Sequence, residues 1–357
     1  MKFALAGGGT GGHAYPSITV GEELRARSQA DLVYYGTDRG PEHILAERAS
    51  ITFRGIPASQ VRGGPKRMVT GGLNLLRGKR RVAEYMREDA PAALFATGGY
   101  AAAPVGWAAH QRHVPMLLFL PDVHPGWAVR FLNRYATKVA CSVDAATKAL
   151  PAGKTVVTGY PVRPQFHEAT REGGIERFNL DPTLPTLLVT GGSLGARAIN
   201  QAVARALGPL LERAQVLHIC GRDEESWLAG ERGRLPERLR GRYRLLAYTE
   251  DMAWAMAAAD LAVTRAGAST LGELPMAGLP AIVIPGGFSD QRLNASYLQR
   301  YGAAVTLMAD QLDELEGTAL GLLDDTETRA RMADAMRRLA RPGAAAHLAE
   351  LLREIAA

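Results

Sequence analysis

The sequence predicts an α/β protein made of two doubly wound, Rossmann-like domains, on three observations. Short apolar runs of four to seven residues alternate with longer amphipathic stretches, the pattern of parallel strands covered by helices on both faces. Twelve such runs occur, more than one sheet holds comfortably. The halves also echo each other: Phe3-Ala4-Leu5-Ala6-Gly7-Gly8-Gly9 parallels Leu188-Val189-Thr190-Gly191-Gly192-Ser193, and each leads into a helix.

Taken in order, the first half offers strands at KFALA (2–6), DLVYY (31–35), AALFA (92–96), PMLLF (115–119), TKVACS (137–142) and KTVVT (154–158). The second offers PTLLVT (185–190), AQVLHIC (214–220), YRLLAY (243–248), DLAVT (260–264), PAIVIP (280–285) and AAVTLM (303–308). Two prolines in Gly159-Tyr160-Pro161-Val162-Arg163-Pro164 stop regular structure between them. The expected domains are therefore 1–160 and 161–343. A terminal helix over 344–357 begins after Pro342-Gly343; it is free to pack on either domain and is assigned to the first. Asp324-Asp325 is expected to open a helix. A chain of 357 residues is long enough for two cores, and 47% hydrophobic with 22% charged residues is ordinary globular composition.

Cys141 and Cys220 both lie in apolar strings and read as buried core thiols, which suits a reducing compartment. The first apolar stretch is too short for a signal-peptide core, and no run reaches about 18 apolar residues. A cytoplasmic protein is expected. Its net charge of +6 is local. Arg62, Lys66, Arg67, Arg77, Lys79, Arg80 and Arg81 are seven cations with no acid between them, interleaved with Met68, Val69, Leu73, Leu75 and Leu76. So local an excess argues against a nucleic-acid partner. Cations flanking apolar residues suit reversible contact with an anionic membrane surface, and a solvated basic loop leading into a helix explains them equally well. For the membrane reading the residues are Lys66, Arg67, Leu73, Leu75, Leu76, Arg77, Lys79, Arg80 and Arg81.

Three glycine segments carry the chemistry. Gly7-x-Gly9-x-x-Gly12 has dinucleotide-loop spacing after a strand and before a helix, where exposed amides attract phosphate. A dinucleotide would want an acid closing the second strand, and Asp38 offers one only in loose register. His13 follows directly and is a candidate base, since a histidine ordinarily titrates near neutrality. Gly191-Gly192-Ser193-Leu194-Gly195 reads as a second phosphate-binding helix start. It also matches a nucleophile elbow with Asp290 and His347 downstream, but His347 lies in the terminal helix. The third, Arg265-Ala266-Gly267-Ala268-Ser269-Thr270-Leu271-Gly272-Glu273, adds a cation for a diphosphate and a carboxylate able to take both ribose hydroxyls. No residue cluster with metal-ligand spacing occurs, so no metal is expected.

Together these stretches resemble the MurG family of peptidoglycan glycosyltransferases. The resemblance rests on GGGTGGHAYP, Thr97-Gly98-Gly99-Tyr100, Pro161-Val162-Arg163, GGSLGARAIN, Glu250-Asp251-Met252, RAGASTLGE with AGLPAIVIP, and Asp290 to Ala295, in order along both halves. It implies the GT-B fold with an interdomain cleft, and inverting, metal-independent transfer of N-acetylglucosamine from UDP-GlcNAc to an undecaprenyl-diphosphate-linked muramoyl-peptide. It implies a peripheral place on the inner face of the cell membrane and no cofactor beyond the donor substrate. By the same resemblance Glu273 binds ribose, Ser193 and Arg265 the diphosphate, and the Thr249 backbone the uracil. Ala268, Ser269, Thr270, Leu271, Gly272 and Gln291 touch donor sugar and phosphates, and Arg163 is the interdomain arginine. Thr10, Gly11 and Gly12 face donor sugar and acceptor, with His13 and Tyr100 on the acceptor side.

The chain departs from the family pattern at three places. Phe119-Leu120-Pro121-Asp122 replaces His-Glu-Gln-Asn, Tyr160 replaces asparagine and Leu194 replaces glutamine. Asp122 keeps a polar group for the sugar and is the second candidate base after His13. The alternatives are a GT-B relative using another lipid acceptor, an NAD(P)-dependent oxidoreductase suggested by the first loop alone, and a non-catalytic UDP-sugar sensor.

Overall fold

The computed structural model describes residues 1–9, 11–38, 40–59, 65–192, 195–287 and 289–357. They form two compact units, Met1–Arg163 with Arg341–Ala357, and Pro164–Ala340.

The first unit runs β1 (Lys2–Ala6), α1 (Gly11–Ser28), β2 (Asp31–Gly36), α2 (Pro41–Arg48), β3 (Thr52–Gly55) and α3 (Pro65–Asp89). It continues β4 (Ala93–Ala96), α4 (Gly99–Gln111), β5 (Met116–Leu120), α5 (Trp127–Leu132), β6 (Lys138–Cys141) and β7 (Thr155–Val157). The second unit opens with α6 (Gln165–Glu168), α7 (Arg171–Phe178), β8 (Thr186–Thr190), α8 (Arg197–Arg213), β9 (Gln215–Ile219), α9 (Glu225–Arg234) and α10 (Glu237–Arg240). Then come β10 (Tyr243–Leu246), α11 (Met252–Ala258), β11 (Leu261–Arg265), α12 (Thr270–Ala277), β12 (Ala281–Ile284) and α13 (Ser289–Arg300). The unit closes with β13 (Ala304–Thr306), α14 (Leu315–Asp324) and α15 (Thr326–Leu339). The last helix, α16 (Ala344–Glu354), returns to the first unit.

All pairings are parallel, in the orders β3-β2-β1-β4-β5-β6-β7 and β10-β9-β8-β11-β12-β13. Each sheet reverses its winding beside its first strand, between β1 and β4 in one and between β8 and β11 in the other. Open parallel sheets bind ligands at the carboxyl ends of the strands flanking such a reversal. All four of these strands lead directly into the segments singled out from the sequence.

Central strands are buried along nearly their whole length, as continuous apolar runs require. In the second unit Ile199, Val203, Ala206, Leu207 and Leu210 make one stripe of α8 and pack on Leu187, Val189 and Val216 of the sheet. Asp325 does open a helix, its carboxylate accepting from Thr328 N. The terminal helix packs on α1, and Lys138 Nζ donates to Glu354 Oε2 at 2.6 Å. The first unit extends to Arg163, whose guanidinium lies over the Tyr15 ring at 5.0 Å.

One strand departs from expectation. β3 (TFRG) escapes the apolar-run criterion because it is short, half-exposed and at the sheet edge. Both cysteines are buried, which pushes Cys141 up to about 12 and Cys220 up to about 11. Among the described residues no helix is long and apolar enough to cross a membrane.

Candidate active site

At the reversal of the first sheet, two loops interlock. Gly7 to Gly9 leave β1, and Thr97 to Gly99 leave β4 into α4. Gly9, Gly98 and Gly99 take φ of +88°, +84° and +73°, a region open to glycine. The fit is close: a Cβ on Gly99 would stand 2.2 Å from the Gly8 carbonyl oxygen, and one on Gly9 2.5 Å from the Tyr100 ring. Thr97 Oγ1 donates to His13 O at 2.5 Å, and Tyr34 OH donates to Gly7 O at 2.7 Å.

His13 is half-buried in the first turn of α1, and its Nδ1 lies 2.8 Å from Thr97 O. A carbonyl oxygen only accepts, so Nδ1 carries the proton and Nε2 keeps its lone pair. That tautomer leaves Nε2 as the basic nitrogen. Gly11 and Gly12 precede it in the same turn, and Tyr100 stands in the first turn of α4 against Gly9. Thr10 lies outside the described residues.

Two departures from the family pattern prove to be neighbours. Phe119 ends buried in β5, where its ring meets those of Phe95 at 6.1 Å and Tyr160 at 6.3 Å. Tyr160 OH donates to Gly12 O at 3.3 Å. Phe119 and Leu120 are buried in the strand, so Asp122, half-buried just beyond it, is the polar side chain left from that tetrapeptide.

At the reversal of the second sheet, Gly192 and Gly195 take φ of +84° and +71° before α8. Ser193 and Leu194 lie outside the described residues. Gly195 admits no side chain, since a Cβ would stand 2.4 Å from Cys220 O. That carbonyl accepts from Asn200 Nδ2 at 3.0 Å, and Asn200 Oδ1 in turn faces His218 Nε2 at 3.0 Å. The far side of the imidazole, Nδ1, meets Tyr243 OH at 2.9 Å.

Across the reversal, Arg265 ends β11 half-buried. Its Nε donates to Gln291 Oε1 at 3.3 Å, and the same oxygen accepts from Gly286 N at 2.7 Å. The guanidinium packs directly on Gly286, where a Cβ would fall 1.8 Å from it and displace it. Among the described residues no carboxylate pairs with Arg265. Burial lowers it from the usual arginine value, so this is a desolvated cation whose charge an incoming anion would complement. Beside it the loop Gly267 to Ser269 enters α12, where Thr270 Oγ1 donates to Gly267 O. Ala268 and Ser269 are half-buried, while Leu271 and Gly272 are buried and offer backbone only. Glu273 is half-buried in the helix's first turn. Thr249 follows β10, its Oγ1 accepting from Asp251 N at 3.0 Å.

Of the basic segment, Leu73, Leu76, Arg77, Arg80 and Arg81 share the exposed face of α3, with Leu73 and Leu76 each 47% exposed. Leu75 and Lys79 were expected in that set but are half-buried. Helical periodicity turns them away, and Lys79 Nζ lies over the Trp107 ring at 4.3 Å. The side chains of Lys66 and Arg67, and Arg62 entirely, lie outside the described residues. Arg77, Arg80 and Arg81 line a cavity of about 580 Å³. It shares Asp38 and Pro57 with a second, of about 390 Å³, that Tyr100 lines.

Sequence reasoning missed two buried polar residues. Asn294 Nδ2 donates to Ala266 O at 3.1 Å and supports the Arg265 loop from below. Glu42 lies under the first glycine loop, where it accepts from Gly9 N at 3.3 Å. Among the described residues no His/Cys/Asp/Glu group has metal-binding geometry.

Two doubly wound parallel units, each with glycine-lined helix starts at its winding reversal and one bearing a desolvated arginine, define the class: a two-domain GT-B protein. Comparisons narrow it. The glycosyltransferase family 28 N-terminal domain matches residues 3–141 and its C-terminal domain residues 186–348. The chain is 39% identical to the UDP-N-acetylglucosamine--N-acetylmuramyl-(pentapeptide) pyrophosphoryl-undecaprenol N-acetylglucosamine transferase of Roseiflexus sp. (strain RS-1), over 99% of this chain and 94% of that one. It is 38% identical to the Salinibacter ruber transferase of the same name, over 97% and 94%. A crystal structure of Acinetobacter baumannii MurG superposes with a TM-score of 0.78 at 26% identity, covering 99% of each chain. The chain belongs to glycosyltransferase family 28 and, within it, to the MurG family. The oxidoreductase reading of the first loop is thereby overturned.

Proposed function

We propose that the protein transfers N-acetylglucosamine from UDP-N-acetylglucosamine to a muramoyl-peptide carried on undecaprenyl diphosphate. The observation that carries this is Arg265, a half-buried guanidinium with no carboxylate partner among the described residues, beside two glycine-lined helix starts. The names of the relatives, glycosyltransferases all, supply the sugar and the acceptor.

In this reading Arg265, Ser193 and the helix starts of α8 and α12 receive the diphosphate. Glu273 accepts the ribose hydroxyls, and the Thr249 backbone reads uracil. Ala268 to Gly272, with Gln291, meet donor sugar and phosphates. Asp122, Arg163, Thr10, Gly11 and Gly12 are assigned to the donor sugar. His13 and Tyr100 serve the acceptor.

The acceptor hydroxyl attacks the anomeric carbon with inversion as the bond to the UDP oxygen breaks. His13 Nε2 takes the hydroxyl proton, and Thr97 O fixes the tautomer that makes this possible. UDP leaves with the bonding pair, stabilised by Arg265 and the two helix dipoles. Neither metal nor resident cofactor takes part. The exposed face of α3 rests on anionic lipid at the cytoplasmic surface.

UDP release from UDP-N-acetylglucosamine, measured with and without a lipid-diphosphate muramoyl-peptide, tests the reading. Acceptor-dependent release supports it. Tight UDP binding without acceptor-dependent release refutes the acceptor assignment. Near-normal turnover in His13→Ala would remove His13 as base and pass the role to Asp122.

A further inference from the structure

Glu42 occupies a socket built for a carboxylate. It lies in the first turn of α2 at 0% exposure. Oε1 accepts from Thr37 N at 3.1 Å and Thr37 Oγ1 at 2.7 Å, and Oε2 accepts from Gly9 N at 3.3 Å. Three glycines make room for it. A Cβ on Gly8 would stand 2.4 Å from Oε1, on Gly40 2.1 Å from Oε2, and on Gly36 2.7 Å from Cγ. Among the described residues it forms no ion pair. A buried carboxylate without a cation is costly, so its three donors hold it and it holds them.

What it holds is the first glycine loop. Gly9, whose amide it draws inward, is in left-handed backbone and abuts the Tyr100 ring on its other side. Gly8, packed on Oε1, turns its carbonyl toward Gly99 at the start of α4. One side chain therefore sets the geometry of the loop after β1 and, through Gly8 and Gly9, its contact with the loop after β4. It also satisfies the Gly9 amide internally.

We infer that Glu42 is a positioning residue for the acceptor. It touches no substrate; it keeps the first loop and Tyr100 in the arrangement that receives the acceptor's diphosphate. The inference rests on the function proposed above for this site.

The test compares E42Q and T37V with the wild type. The first substitution keeps the side-chain volume but loses one acceptor oxygen, and the second loses only the hydroxyl donor. E42Q is expected to raise acceptor KM roughly tenfold or more. T37V should act in the same direction by less, with UDP affinity within about twofold in both. A purely structural role would lower the active fraction, hence apparent kcat, and leave acceptor KM alone. Hydrogen exchange supplies a readout independent of turnover: amides of residues 7–13 and 98–100 should exchange faster in E42Q, with β8 to β13 unchanged. Unchanged acceptor KM, equal shifts for donor and acceptor, or unchanged exchange of the loop would each overturn the inference. A wild type that releases no UDP with acceptor counts against the proposed function instead, and the exchange measurement then decides Glu42 alone. If E42Q does not fold, T37V decides by the same criteria.

Discussion

Lowering the pH should destabilise the second unit through His218. The imidazole is fully buried between Tyr243 OH and Asn200 Oδ1, and burial pushes it down from 6.5 to about 3. The folded state therefore keeps it neutral, whereas the unfolded chain takes a proton below pH 6.5. Stability from this residue is complete above about pH 6.5 and is lost as pH falls toward 3. Each pH unit in that window costs about 1.4 kcal/mol, so about 2 kcal/mol is gone by pH 5. The consequence reaches the proposed donor site, because Asn200 joins His218 to the carbonyl on which Gly195 sits. Urea unfolding followed by a probe in the second unit, at pH 7, 6 and 5, should show this slope. His218→Gln, which cannot gain a proton, should flatten it by one proton's worth. The His218 ring resonance should stay unshifted by NMR from pH 7 to 5. A ring that titrates near 6.5, or a variant with the wild-type slope, would refute the reasoning.

Gly99→Ala should abolish acceptor-dependent turnover while sparing UDP binding, because a Cβ would stand 2.2 Å from Gly8 O on a residue with φ +73°; steady-state kinetics and calorimetry separate the two. Tyr160→Phe removes the hydroxyl donated to Gly12 O at 3.3 Å and should cost about 1 kcal/mol of first-unit stability, read by thermal unfolding. Leu73→Glu with Leu76→Glu should reduce cosedimentation with phosphatidylglycerol vesicles severalfold at low salt, since both side chains share the exposed face of α3 with three arginines. If binding persists, the membrane contact lies elsewhere.

Much of this was legible because buried parallel strands announce themselves as apolar runs and helix starts as glycine. Twelve of the thirteen strands among the described residues could be read that way. β3 could not, since an exposed edge strand has no need of an apolar run. Arg265 was visible because a cation beside a glycine-rich helix start offers charge to a diphosphate. Glu42 was invisible for the opposite reason: an acid just after Gly40-Pro41 reads as an ordinary helix-dipole partner. Only the fold brings Gly9, 33 residues earlier in the chain, and its neighbour Gly8 onto that carboxylate. The pairing of Phe119 with Tyr160 is likewise a tertiary fact, two departures that read separately along the chain. Leu75 and Lys79 were assigned by composition where helical angle decides.

The two units share a topology yet differ in charge at their reversals, and the chemistry explains why. UDP gains negative charge as it leaves, so a cation facing it is worth more in the transition state than before. The acceptor's diphosphate keeps its charge throughout and needs only to be held. On the proposed function, a desolvated arginine therefore belongs in the second unit, where UDP is assigned. In the first, neutral amides over the internal carboxylate of Glu42 suffice. Arg265→Ala should accordingly lower kcat by one to two orders of magnitude, the worth of about 1.5–3 kcal/mol from a charged hydrogen bond, with a smaller change in donor KM. Arg265→Lys restores the charge but not the planar fork, and should recover part of that kcat. Steady-state kinetics with saturating acceptor distinguishes the cases. A rise in donor KM with kcat intact would show that Arg265 binds the ground state as tightly as the transition state, and the division of labour between the units would then rest on something other than charge.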